Sequence, residues 1–180
     1  MILLKKLISV TTAVLLFTAS STALSSAVPE RTDIAAQFKW DLTGMYADAE
    51  AWEIDRERFI ALLPILSAHR STLGESGLSL LSAIESIQAV EAVIANLYVY
   101  AGLKSYEDTR ISENGARFSE AQGLYARYQE ALSYFTPELL AIPETTLSEF
   151  IDATPGLQIY AHYLDEVARL PSFLLSEAAE

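Results

Sequence analysis

"LSLLSAIESIQAVEAVIANLYVYAGLKSY", residues 78–106, is the stretch whose reading decides the fold. Leu80, Leu81, Ile84, Ile87, Val90, Val93, Ile94, Leu97, Tyr100 and Leu103 follow one another mostly at three- or four-residue steps, with Ser82, Glu85, Gln88, Glu91 and Asn96 between them. That period places the apolar side chains along one side of a helix, so the segment predicts a long amphipathic helix with a buried face. A helix with such a face needs partners, and the flanking sequence supplies candidates for them.

Upstream, "STLGESG" (71–77) reads as a connector. Before it, residues 49–69 carry Trp52, Phe59, Leu62, Leu63 and Leu66 at helical spacing, with Asp48 as a candidate N-cap. Pro64 is expected to kink or split that helix, because it lacks a backbone donor and its ring crowds the preceding turn. Residues 28–47 show no sustained helical stripe and read as an extended arm. Within the arm Phe38, Trp40 and Leu42 alternate with Lys39 and Asp41, which would set the three apolar side chains on one face as a clip onto the helices.

Downstream, "EDTRISEN" interrupts the long helix. A third helix is predicted over residues 112–134, weakened by Gly115 and Gly123, with Phe118, Ala121, Tyr125, Tyr128 and Leu132 on one face. Thr136 is a candidate N-cap for a short segment that Pro143 stops. Helices over residues 147–153 and 157–170 follow, with Pro171 ending the latter and Ser176 capping the start of another. No strand-period run and no repeat of 20 to 50 residues appears, so the fold class is all-α.

The first 27 residues have the layout of a secretory signal: Lys5 and Lys6, the apolar run from Leu7 to Ala19, then small residues with cleavage expected after Ala27. The apolar run of 13 residues is shorter than the ~20 that cross a bilayer, no other span is read, and no stable membrane association is expected after cleavage. The layout predicts export to the periplasm or beyond. Cysteine is absent, which excludes a lipoprotein anchor and leaves the fold to packing alone. Removing Lys5 and Lys6 from the 12 basic residues leaves ten against 24 acidic ones, a net charge of −14. Such a balance excludes nucleic acid as a partner.

The chain holds little catalytic vocabulary. Its two histidines, His69 and His162, lie 93 residues apart, and no His-Glu-x-x-His occurs. His69 reads as a helix C-terminal residue facing the dipole, and His162 as a packed histidine. Glu53 with Glu57, and Asp165 with Glu166, read as solvated helix faces. No Gly-x-Ser-x-Gly and no glycine-rich phosphate loop is present, so no catalytic, cofactor-binding or metal-binding residue is assigned. Tyr98, Tyr100, Tyr106, Tyr125, Tyr128 and Tyr134 read as helix–helix packing or, as a second reading, as a surface for peptide backbones.

Four blocks in order resemble the N-terminal region of the oligoendopeptidase F family of zinc metallopeptidases: "FKWDLTGMYADAEAW" (38–52), "LYVYAGLKSYEDTR" (97–110), "ALSYFTPELLAIPETTLSEFI" (131–151) and "LQIYAHYLDEVARL" (157–170). Ser172 and Phe173 stand where the family commonly has a histidine. Beside the signal (1–27) and the arm (28–47) read above, the resemblance implies that residues 48–180 are a helical N-terminal domain, truncated at its C-terminal end, that forms one wall of a channel for oligopeptides. It also implies that zinc and the catalytic residues of the full-length enzyme lie beyond residue 180, leaving this chain inactive alone. The other reading is a stand-alone, non-catalytic periplasmic binding or adaptor module.

Overall fold

The structure, a computed structural model, describes residues 30–177, with side chains described through residue 169. The expected signal, residues 1–27, lies outside the described residues, as do the side chains of Ser172, Phe173 and Ser176. All regular structure among the described residues is helical, with no strand. The chain divides into two units, residues 1–39 and 40–180.

In the first unit, two short 3-10 turns, Arg31–Asp33 and Ala36–Phe38, are separated by extended backbone at Ile34 and Ala35. Neither turn buries a residue. Phe38 closes the second turn and is 75% exposed, so the alternating face expected over residues 38–42 does not form.

The second unit opens on a local device. Asp41 Oδ1 accepts from the Thr43 amide at 3.0 Å and from the Thr43 hydroxyl at 2.6 Å. Those two bonds hold the Asp41 carboxyl below the usual carboxylate range. The bend leaves Trp40 53% exposed while Leu42 and Tyr46 turn inward, which corrects the reading of Trp40 as a clip. Tyr46 donates to Asp55 Oδ2 at 2.8 Å and meets the Tyr100 ring edge-on.

Helix α1 spans Ala49–Ala68, launched by Asp48, whose side chain accepts from the Ala51 amide at 2.9 Å. Trp52, Phe59, Leu63 and Leu66 are buried along one face. Pro64 neither splits nor ends the helix. It sits on the exposed side, where water can satisfy the carbonyl that its missing N–H leaves unpaired. His69 caps α1, and the chain turns through Ser71, whose φ of 68° lies in the left-handed region. The Ser71 amide is held there by Glu138, both carboxylate oxygens lying at 2.8 Å.

Helix α2, Gly77–Glu107, is the long helix read from the sequence, and Ser76 caps it by accepting from the Ser79 amide. It is long and apolar enough by length and composition to cross a membrane, with an 18-residue window of mean hydropathy 1.5, where the sequence pattern led us to expect no span. Its apolarity has a local explanation, because α2 is the helix from which both hydrophobic clusters are built. Leu80, Ala83 and Ile84 join one cluster, and Val90, Val93, Ile94, Leu97, Tyr100 and Ala101 the other.

Helix α3, Ser112–Leu132, returns after a break in which Asp108 clasps Arg110 through both carboxylate oxygens. Ala121, Leu124 and Tyr128 of α3 pack with α1 and the C-terminal part of α2. Helix α4, Phe135–Ala141, starts one residue before Thr136, which therefore lies inside the helix rather than capping it. Helix α5, Glu144–Ala153, has Pro143 as its N-cap and starts earlier than expected, because proline at a helix start gives up no ladder bond. A 3-10 turn, Leu157–Tyr160, leads into α6, Ala161–Glu177. Pro171 does not end α6, since a proline removes one ladder bond and the turns on either side carry the helix past it. The second cluster gathers Tyr134, Phe135, Leu139, Leu147, Leu157 and Leu164 around the N-terminal part of α2.

Candidate functional site

Where the third, fourth and sixth helices converge on the middle of α2, a cleft of about 480 Å³ opens to solvent. Ile84 and Ile87 of α2, Leu132 of α3 and Phe135 of α4 form its apolar lining. Polar groups come from Gln88 and Glu91 on α2, Tyr128 and Gln129 on α3, Thr136 on α4, and Tyr160 and Tyr163 at the start of α6. An apolar lining with a few convergent polar groups is the usual make-up of a small-ligand site.

The spacing of α2 explains the arrangement. Ile84, Ile87, Gln88 and Glu91 are three or four residues apart and share one helix face. The Tyr160 hydroxyl donates to Gln88 Oε1 at 2.8 Å, fixing the 3-10 turn against α2. Burial raises the phenol of Tyr128 above its ordinary range, and the Glu91 carboxylate adds to the effect. Tyr163 is raised by the same two causes in the same order. Both phenols therefore stay neutral and hydrogen-bonding at any physiological pH.

A wider groove of about 670 Å³ lies between α4, α5 and α6, lined by Glu144 as well as by Asp165 and Arg169, which pair with each other at 2.6 Å.

Of the tyrosines singled out from the sequence, Tyr128 alone lines the cleft. Tyr98, Tyr106 and Tyr125 form an aromatic ladder with Phe118, the ring centroids of successive pairs lying 5.4 to 5.8 Å apart. Tyr100 packs on Tyr46, and the buried Tyr134 hydroxyl donates to the Leu66 carbonyl at 2.7 Å. The packing reading therefore holds for those five. Gln88, Glu91, Tyr160 and Tyr163 were missed as site residues, although the three-residue steps within each pair placed both members on one helical face.

The histidines do not meet the cleft. His69 Nε2 lies 3.0 Å from Ser86 Oγ at the end of α1. His162 is not packed: its side chain is 86% exposed and reaches Glu166 at 3.4 Å, because its neighbours Leu164 and Val167 take the buried face of α6. Glu53 and Glu57 bracket Arg56, which also reaches Glu120 across to α3. These carboxylates are helix-face charges, as read. Among the described residues no three His, Cys, Asp or Glu side chains are gathered to hold a metal ion. The zinc that the resemblance implies has no fitting donor set there, and no catalytic step is assigned to these residues.

Fold and site together define a helical, acidic chain with one tyrosine-lined cleft at the middle of α2. A family profile described as Oligopeptidase F matches residues 138–180. The chain is 29% identical over 153 residues to oligopeptidase PepF of Bacillus subtilis, covering 85% of this chain and 23% of that protein. It superposes on a crystal structure from Chlamydophila abortus with a TM-score of 0.71 at 27% identity, over 84% of this chain and 27% of that one. Against oligoendopeptidase-F from Enterococcus faecium the TM-score is 0.58 at 30% identity, over 62% of this chain and 22% of that one. These matches support a likeness to the N-terminal region of the oligoendopeptidase F family. The chain spans about a quarter of the length of the relatives it matches.

Proposed function

We propose that this chain is the exported N-terminal scaffold of an oligoendopeptidase F-like peptidase, whose family-length form hydrolyses short peptides, and that its helices form part of the wall admitting them. The observation that carries the reading is the continuous match to oligopeptidase PepF, which runs over 85% of this chain while taking up only 23% of that protein. A fold that buries two clusters along one long helix, with no metal donor set among its described residues, suits a supporting role. Catalysis in the family-length protein then falls to residues outside this region.

The test is direct. Purified chain, supplied with zinc, is expected to retain no stoichiometric metal after dialysis and to cleave no quenched fluorescent peptide. Turnover that survives mock-purification controls would sink the proposal. For export, the secreted product is expected to begin at Val28 by mass spectrometry; a retained Met1 refutes the cleavage.

A further inference from the structure

The cleft between α2, α3, α4 and the start of α6 carries one charge, and that charge is unopposed. Glu91 has no cation within ion-pair distance among the described residues, and no lysine or arginine lines the cleft. Some carboxylates on the helix surfaces are answered by a cation, Asp55 by Arg58, Glu107 by Lys104 and Asp165 by Arg169, whereas Glu91 faces a cleft that supplies none. The polar groups surrounding Glu91 are neutral phenols and amides, which can donate or accept but cannot neutralise it.

A ligand that fits must supply what is missing. An anion would meet Glu91 and the net charge of −12. A purely apolar ligand would fill the lining while stripping water from Glu91 without compensation. An alkyl cation satisfies both ends: its charged head pairs with Glu91 and donates hydrogen bonds to the phenol oxygens of Tyr128 and Tyr163, whose rings also attract cations. Its aliphatic stem lies on Ile84, Ile87 and Phe135, as lysine stems do along apolar surfaces. We infer that this cleft is a subsite for a basic side chain of an oligopeptide, with Glu91 as the charge-pairing residue and Tyr163 and Tyr128 as the walls around the cation. The inference rests on the proposed function only in taking a peptide as the carrier of the cation.

The probe is N-acetyl-Gly-Lys-Gly-amide, titrated into the purified chain by NMR and compared with its norleucine analogue, which keeps the stem and drops the charge. The lysine peptide is expected to bind with Kd on the order of 1 mM, and the norleucine peptide about tenfold more weakly, the worth of one partly exposed charge pair. Glu91→Gln is expected to erase that difference without altering the melting temperature, since Glu91 is exposed and makes no hydrogen bond or ion pair among the described residues. Tyr163→Phe, which keeps the ring, is expected to weaken the lysine peptide less than Glu91→Gln does. Gly-Gly-Gly-amide with a free amino terminus separates the other source of the same chemistry. If it outcompetes the lysine peptide, the side-chain assignment is overturned. Equal affinity of the lysine and norleucine peptides, or unchanged lysine affinity in Glu91→Gln, overturns the cation subsite and leaves the peptidase reading standing. That reading answers separately to the zinc and turnover assays.

Discussion

Two tryptophans sit twelve residues apart in this chain, and their surroundings are opposite. Trp52 is fully buried, its Nε1 donates to the Leu97 carbonyl at 3.0 Å, and Arg117 lies over its ring. Trp40 is half in solvent. Trp52→Ala is therefore expected to lower the unfolding free energy by about 3–5 kcal/mol, the range for truncating a buried aromatic. Trp40→Ala is expected to stay within ~0.5 kcal/mol of the parent, as for surface changes generally. Urea denaturation of the two variants checks both. Sequence pattern alone could not separate them, because Trp40 sits in an apparent period-two run and the decisive event is the bend made by Asp41 and Thr43. Tyr134→Phe isolates a single bond. It keeps the ring and removes only the donor to Leu66, for an expected loss of about 1 kcal/mol.

Helix α2 shows how far an element can be read in advance. Its start, end and buried face were all legible within a residue or two, since a period sustained over 31 residues outweighs any local ambiguity. The prolines were misread for the opposite reason. A rule about one residue was set against helices that continue as backbone on both sides of it, and α1 and α6 both run on through their prolines. At its N-terminus α2 is fitted closely to α5: a Cβ on Gly77 would collide with the Thr154 hydroxyl and stand 3.1 Å from the Phe150 carbonyl. Gly77→Ala is expected to cost about 1–3 kcal/mol through overpacking. Gly123 lies inside α3 with nothing within 4 Å of such a Cβ, so Gly123→Ala is expected to gain roughly 0.5–1 kcal/mol from helix propensity. Opposite shifts in melting temperature would verify the pair.

For the molecule as a whole, the cleft was the least legible feature. Its polar groups come from helices that are remote in sequence, with Tyr160 meeting Gln88 across 72 positions, and no periodicity reports such a meeting. The buried phenols also set an alkaline limit on the fold. Burial, before any neighbouring charge, raises Tyr46, Tyr128 and Tyr134 above the ordinary value of 10.0. In the unfolded chain these tyrosines lose their protons near pH 10 while the folded chain keeps them. Their contribution is thus whole below pH 10 and is lost as pH rises toward the raised values. The slope is about 1.4 kcal/mol per pH unit for each phenol that ionises only on unfolding. Equilibrium unfolding followed from pH 8 to 12 is expected to show stability falling above pH 10, and a flat profile contradicts the burial of these rings.

The two clusters strung along α2 bear on how the protein breathes. The stretch from Leu80 to Ile84 is held by α4, α5 and α6, whereas Val90 to Ala101 is held by α1 and α3. Ile87 packs against both. Amide hydrogen exchange along this one continuous helix should then fall into two cooperative openings that meet near Ile87. Loosening α4 to α6 would expose the first turns to deuterium while the later turns remain protected. A helix without a break in its ladder would behave as the edge of two separately opening bodies, with the tyrosine-lined cleft at their seam.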